Sequence, residues 1–204
     1  MLISKEEQKD ISQAIEQVEK ETDAELVTVL AKQADNYYYI LTLWACFIAL
    51  LLPVAIKFTP LWLSGDELLI MQWATFIVLS LLFRVPSIMI KLVPKSIRTH
   101  RASILARDQF LENNLHHTKS AMGVLIFVSE AEHYVEIIAD NGISQYVTNE
   151  EWQDIVDAFI QKIKSGQTKE GFIMCIENCG KKLKEFAPIT SIKNELPNHL
   201  VILE

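Results

Sequence analysis

The sequence predicts an α+β fold: a small mixed sheet packed by helices and interrupted by a two-helix transmembrane hairpin. Three observations predict it. Short β-branched runs and amphipathic helical periods occupy both ends of the chain. Two long apolar stretches lie close together between Tyr37 and Val93. The first strand, Glu25–Ala31, has no neighbouring strand before those stretches begin, and a lone strand is not stable, so its partners must come from beyond them.

The first helix starts at a Ser4–Glu7 capping box and carries Ile11, Ala14, Ile15 and Val18 as one apolar stripe. Thr22-Asp23 ends it. Residues 25–31, Glu-Leu-Val-Thr-Val-Leu-Ala, are short and β-branched and read as a strand. Residues 37–58 then hold no charge until Lys57, begin with three tyrosines suited to a membrane interface, and are long enough to cross a hydrocarbon core of ~30 Å. Pro53 is tolerated in such a helix. After a short loop at 59–64, a Ser64–Glu67 capping box opens a second apolar run over 68–83. That run spans about 24 Å. It crosses if Asp66 and Arg84 mark the interfaces, or if Arg84 snorkels and the helix continues to Ile90.

Beyond the hairpin, residues 95–113 read as a helix with Ile97, Ile104, Leu105 and Leu111 on its buried face. Met122 to Val128 is a nearly continuous apolar run, as expected of a central strand covered on both faces. A hairpin loop at 129–132 leads to a partner strand at 133–139, with Val135 and Ile137 on one face and Tyr134, Glu136 and Ile138 on the other. The first strand is expected to pair with the strands around Val124 and Val135. Thr148 and Glu151 cap a helix bearing Trp152, Ile155, Val156, Phe159, Ile160 and Ile163; Ser165-Gly166 ends it. The last clear helix covers 168–186, with Phe172, Ile176, Cys179, Leu183 and Phe186 inward, and Pro188 stops it. Leu200 to Leu203 reads as a short strand. The resulting division is 1–36 and 94–188 as two parts of one domain, 37–93 as the hairpin, and 189–204 as a tail.

Charge orients the hairpin. The chain of 204 residues is half hydrophobic and carries a formal charge of −7. Arg84, Lys91, Lys95, Arg98, Arg101 and Arg107 form a basic block with no acid among them, directly after the second apolar run. Positive residues stay inside, so the block predicts that both termini are cytoplasmic. Residues 1–36 contain no apolar h-region, which predicts that they remain where they are made. The block also suits anionic headgroups. The rest of the chain holds all 26 acidic residues, and this excludes a general nucleic-acid footprint. The partners expected are therefore the lipid bilayer and a membrane-protein partner, with no nucleic acid.

No phosphate-binding glycine loop, nucleophile elbow or zinc motif is present. His116-His117 reads as a surface pair. Cys175 and Cys179, four apart on a helix, lack two further ligands nearby and read as small buried residues, and Cys46 lies in an apolar helix. The stretch 129–148 is richer: Glu130, Glu132, Glu136 and Asp140 place carboxylates at the ends of a hairpin. Asp140 and Asn141, with Glu132 closing from its loop, form a candidate ligand set for a divalent cation, Ca²⁺ or Mg²⁺. The competing reading is turn chemistry, in which Asx side chains bond nearby backbone and Gly142 supplies a positive φ.

Val124-Leu125-Ile126-Phe127-Val128-Ser129, Glu132-His133-Tyr134-Val135-Glu136-Ile137, Asp140-x-Gly142-Ile143 and Trp152 together resemble the TPM domain family. Gly166, Gly171, Gly180-x-x-Leu183 and Phe186 fall in a similar pattern, and Glu19-x-x-Thr22-x-Ala24-Glu25-Leu26 is similar to the start of its bacterial membrane-inserted branch. The resemblance implies an α/β/α-like domain, a bacterial inner membrane location with two spans, and relatives that are acid phosphatases, divalent-cation binders or accessory subunits. Asp140-Asn141-Gly142 stands where many relatives have a Gly-Tyr-Gly-type turn. The function expected is an interaction or accessory module of a membrane-associated complex, with a weak metal-assisted phosphatase as the alternative. No catalytic residue is assigned.

Overall fold

The computed structural model describes residues 3–118, 121–190 and 200–203. Helix α1 (Lys5–Glu19) and strand β1 (Glu25–Ala31) precede helices α2 (Tyr38–Ile56), α3 (Gly65–Leu82) and α4 (Pro86–Leu92). Then follow α5 (Lys95–Glu112), β2 (Gly123–Ser129), β3 (Tyr134–Ala139), the single turn α6 (Asn141–Ser144), α7 (Asn149–Lys164), α8 (Thr168–Phe186) and β4 (Leu200–Leu203). The chain divides into two compact units, Met1–Ala34 with Thr99–Glu204, and Asp35–Arg98. Of the tail at 189–204, residues 191–199 and 204 lie outside the described residues.

The first unit is mixed α+β. Its sheet has the order β3-β2-β1-β4, with β1 parallel to β2 and β4, and β3 antiparallel to β2. All seven residues of β1 and all seven of β2 are buried, as suits parallel strands covered on both faces. Of the two partners expected for β1, only the strand around Val124 pairs with it. The strand around Val135 is one place further out, and β4 takes the other side of β1.

Helices cover both faces. Residues from α1, α7 and α8, among them Ile11, Ile15, Trp152, Phe159, Phe172 and Ile176, pack on Leu26, Leu30, Val124 and Ile126. The opposite face, Val27, Val29, Leu125 and Phe127, meets Ala102, Ala106 and Phe110 of α5. That contact corrects the expected face of this helix. Ile104 and Leu111 are 37% and 53% exposed, Leu105 is only partly buried, and the buried row is Ala102, Ala106, Gln109 and Phe110. Small alanines let the helix backbone approach the sheet, so the largest apolar residues do not mark the buried side.

Helix ends follow from local chemistry. Ser4 Oγ accepts the Glu7 N–H at 3.2 Å while the Ser4 N–H donates to Glu7 at 2.7 Å. Thr148 and Glu151 repeat this reciprocal cap at the start of α7. Gly166, at φ +79°, turns the chain after α7 in the left-handed region that favours glycine. Gly123 is required for another reason: a Cβ there would lie 2.3 Å from the Leu115 carbonyl oxygen.

In the second unit, α2 and α3 are 19 and 18 residues long and apolar enough to cross a membrane. α2 buries Ile40, Leu41, Ala45, Ala49 and Ile56, whereas α3 buries nothing. Leu41, Ala45, Phe83 and Met89 form a cluster of their own, and the Arg84 guanidinium lies 5.5 Å from the centre of the Tyr38 ring. A continuous helix to Ile90 does not form. Val85 is extended (φ −65°, ψ 123°), the conformation imposed on a residue before proline, and Pro86 starts α4.

Candidate functional site

The hairpin of β2 and β3 places the sequence-predicted residues at its two ends. At the far end of β3, the Asp140 N–H donates to the Gly123 carbonyl at 2.9 Å, and Asp140 Oδ1 accepts the Asn141 N–H at 2.7 Å as the cap of α6. Asn141 is exposed. Gly142 lies inside the α6 turn and donates its N–H to the Ala121 carbonyl; it does not supply the positive φ expected of it, which among the described glycines occurs at Gly166.

Glu132 sits at the other end, in the loop between β2 and β3, and is buried. Its carboxylate accepts the Ala34 N–H at 3.1 Å and the Ser129 hydroxyl, which fastens this loop to the chain leaving β1. The whole length of β3 separates Glu132 from Asp140, about 20 Å at the usual strand rise. The fold therefore brings Asp140 and Asn141 together and does not bring Glu132 to them. Among the described residues, no three His, Cys, Asp or Glu side chains are grouped so that they could hold a metal ion.

Other candidates are equally local. His116 and His117 lie in the short 3-10 turn Leu115–His117, ring centres 4.0 Å apart. Cys175 and Cys179 are fully buried, and the Cys179 thiol is pushed up by its hydrogen bond with Cys175 and by burial, which disfavours a Cys179 thiolate.

A polar groove of about 260 Å³ runs along the outer side of β3. Arg107 from α5, Glu136 and Ile138 line it on one face of the sheet; Ser144, Asn149 and Trp152 line it on the other, with Ile137 and Ala139. Tyr134 donates its hydroxyl to Glu136 at 2.9 Å, and burial, ahead of that carboxylate, pushes the phenol up to about 12. Glu136 stands out in the sequence but the groove does not, because Arg107 lies about 30 residues before β3 and meets Glu136, Ser144 and Asn149 only in the folded sheet. The signal available was the alternation in β3, which includes a charged Glu136 and is unlike the unbroken apolar run of β2.

These features define a class: a four-stranded mixed sheet between helical layers, with a pair of long apolar helices inserted after its first strand. Residues 87–182 match the model of the TPM domain family. The NMR structure of BA42 protein from the psychrophilic bacterium Bizionia argentinensis is similar, with a TM-score of 0.61 over 99% of this chain and 96% of that one. At 21% identity this likeness speaks to the fold alone. No curated protein matches the chain.

Proposed function

We propose that this protein is a membrane-anchored TPM domain whose soluble unit faces the cytoplasm and serves as an interaction or accessory module of a membrane-associated complex. The observation that carries the anchoring is α3, an apolar helix of 18 residues with none of them buried. A water-soluble protein would have to leave Leu69, Ile70, Trp73, Ile77, Val78 and Leu81 in solvent, whereas lipid satisfies them at no cost. The basic block from Arg84 to Arg107 supports cytoplasmic termini, since positive flanks are retained on that side.

The accessory reading rests on an open strand edge, beside which no metal-binding group of acids is gathered among the described residues. The test is purification of the intact protein from membranes in mild detergent. A membrane protein that co-purifies in fixed proportion, and is lost when residues 99–204 are removed, is the expected result. A lone protein that hydrolyses p-nitrophenyl phosphate only with Mg²⁺ or Ca²⁺ would replace this reading by the metal-assisted phosphatase. Alkaline carbonate, which strips peripheral proteins, should leave the chain in the membrane pellet; release into the supernatant would defeat the anchoring.

A further inference from the structure

β3 forms one edge of the sheet, and its register with β2 determines which backbone groups face outward. Val124 stands opposite Ala139, and the Asp140 N–H bonds to the Gly123 carbonyl. Bonded pairs alternate along an antiparallel ladder. Tyr134, Glu136 and Ile138 therefore bond to β2, while Val135, Ile137 and Ala139 turn their N–H and C=O groups away from it. Ser144 Oγ donates to the Ala139 carbonyl at 3.0 Å and closes that end. The N–H and C=O groups of Val135 and Ile137, with the Ala139 N–H, have no partner among the described residues.

The groove along these groups is smaller than the roughly 300 Å³ at which small-molecule pockets begin. It is open, lies beside Glu136 to Ala139 of an edge strand, and so borders main chain. Its charges are also uneven. Arg107 is exposed and makes no ion pair among the described residues, whereas Glu136 is already held by the Tyr134 hydroxyl. An added strand would point alternate side chains to the two faces. Its residue opposite Ile137 would join the Trp152 side, and its residue opposite Ile138 would point to the face from which Arg107 projects.

We infer that the β3 edge is a docking site for an extended acidic segment of a partner protein, which adds a fifth strand and sets a carboxylate against Arg107. The inference rests on the accessory-module reading and gives that module its surface. Main-chain bonds supply affinity in such strand addition, and the alternating side chains supply selectivity. Pairing with β3 of a second copy about a two-fold axis at Ile137 is less well served. It would set Val135 against the Ala139 carbonyl that Ser144 already occupies, with α6 across the same end.

The test uses the full chain in lipid nanodiscs and the peptide acetyl-Thr-Val-Glu-Val-Thr-amide as probe, read by amide hydrogen exchange. Saturating peptide should slow exchange at Val135, Ile137 and Ala139 by about tenfold or more, with little change elsewhere in the sheet. Lysine in place of the peptide's glutamate should weaken binding about tenfold, and Arg107→Glu should reverse that preference. N-methylation of both peptide valines should abolish protection while leaving the protein untouched. No slowing at the three amides, or slowing indifferent to the charge exchange, would overturn the inference. Protection that rises with protein concentration alone would assign the edge to a second copy and overturn it equally. If the intact chain still co-purifies a membrane partner while the peptide fails, the accessory reading stands and the docking surface lies elsewhere. If the peptide binds but nothing co-purifies, the surface stands and the membrane-complex reading falls.

Discussion

In α7, Trp152, Ile155, Val156 and Phe159 are buried on one side while Glu150, Gln153, Asp154 and Asp157 are exposed on the other. In α3 no residue is buried, and Leu69, Ile70, Trp73, Ile77 and Leu81 are exposed in place of polar residues. The two helices are of nearly equal length and differ in how their apolar residues are distributed. α7 has one stripe that water rejects and a protein core to put it in. α3 has no such division: its exposed positions are mostly apolar, which is the pattern expected of a helix in apolar surroundings. Apolar content alone does not separate a core helix from a membrane helix; its distribution around the helix does.

The largest way to break the comparison is to remove β1, which lies between β2 and β4 in the first unit. Residues 99–204 expressed alone should fail to unfold cooperatively and should aggregate through the exposed side of β2. Joining residues 1–34 to them through a flexible linker, without the apolar helices, should give a soluble protein with one sharp thermal transition. Equal transitions in both proteins would show that β1 is dispensable.

Point changes sharpen the contrast. Gly123→Ala would drive a Cβ into the Leu115 carbonyl and should cost more than about 2 kcal/mol by denaturant unfolding. Gly65→Ala in the other unit meets nothing within 4 Å and should be neutral or slightly helix-stabilising. Ala74→Arg, at the middle of α3, should cost insertion about 3 kcal/mol and shift protein from the membrane fraction to the soluble one. Asp157→Arg on the exposed side of α7 should leave both stability and fractionation unchanged within about 0.5 kcal/mol.

Smaller effects come from titration. The Lys182 ammonium, 2.5 Å from Glu151, and the Thr148 N–H hold the Glu151 carboxyl below its ordinary value. A lowered carboxylate contributes stability that is present above its unfolded value and is lost as pH falls through its folded one. Glu151→Gln should therefore remove part of the acid sensitivity of thermal unfolding below about pH 4.5, the ordinary glutamate value, and leave the neutral region less affected. Tyr134 shifts the other way, from 10.0 to about 12, so its contribution is complete below pH 10 and is lost as pH rises towards 12. Phenolate absorbance should contain a late-titrating component that Tyr134→Phe removes.

Much of this architecture was legible in the sequence because it rests on local chemistry. The capping boxes at Ser4, Ser64 and Thr148, the limits of α8, and the two faces of β3 follow from spacing of a few residues. The buried face of α5 was not legible, since Ala102 and Ala106 signal burial only when a sheet is known to approach them. The sheet order was half legible: strand identity follows from pattern, but nothing in Leu200–Leu203 says that it lies beside β1. The Asp140 turn was visible as a turn, while its distance from Glu132 depends on β3 being one unbroken strand. The groove was invisible because Arg107 of α5 joins the stretch 136–152 only in the folded sheet. For Asp140 and Asn141, calorimetric titration with Ca²⁺ or Mg²⁺ gives the smallest expected signal, with no difference between wild type and Asp140→Asn; a millimolar site lost in the variant would restore the cation reading.

Membrane crossing is tested most directly by sidedness. In a Cys46→Ala background, with the buried Cys175 and Cys179 left in place, single changes Trp62→Cys in the loop between α2 and α3 and Lys164→Cys at the end of α7 can be probed in intact cells with a membrane-impermeant maleimide. Two spans with cytoplasmic termini predict that the cysteine at position 62 reacts from outside and the one at 164 reacts only after permeabilisation. Equal reactivity of both positions in intact cells, or protection of both until lysis, would contradict a membrane-crossing hairpin.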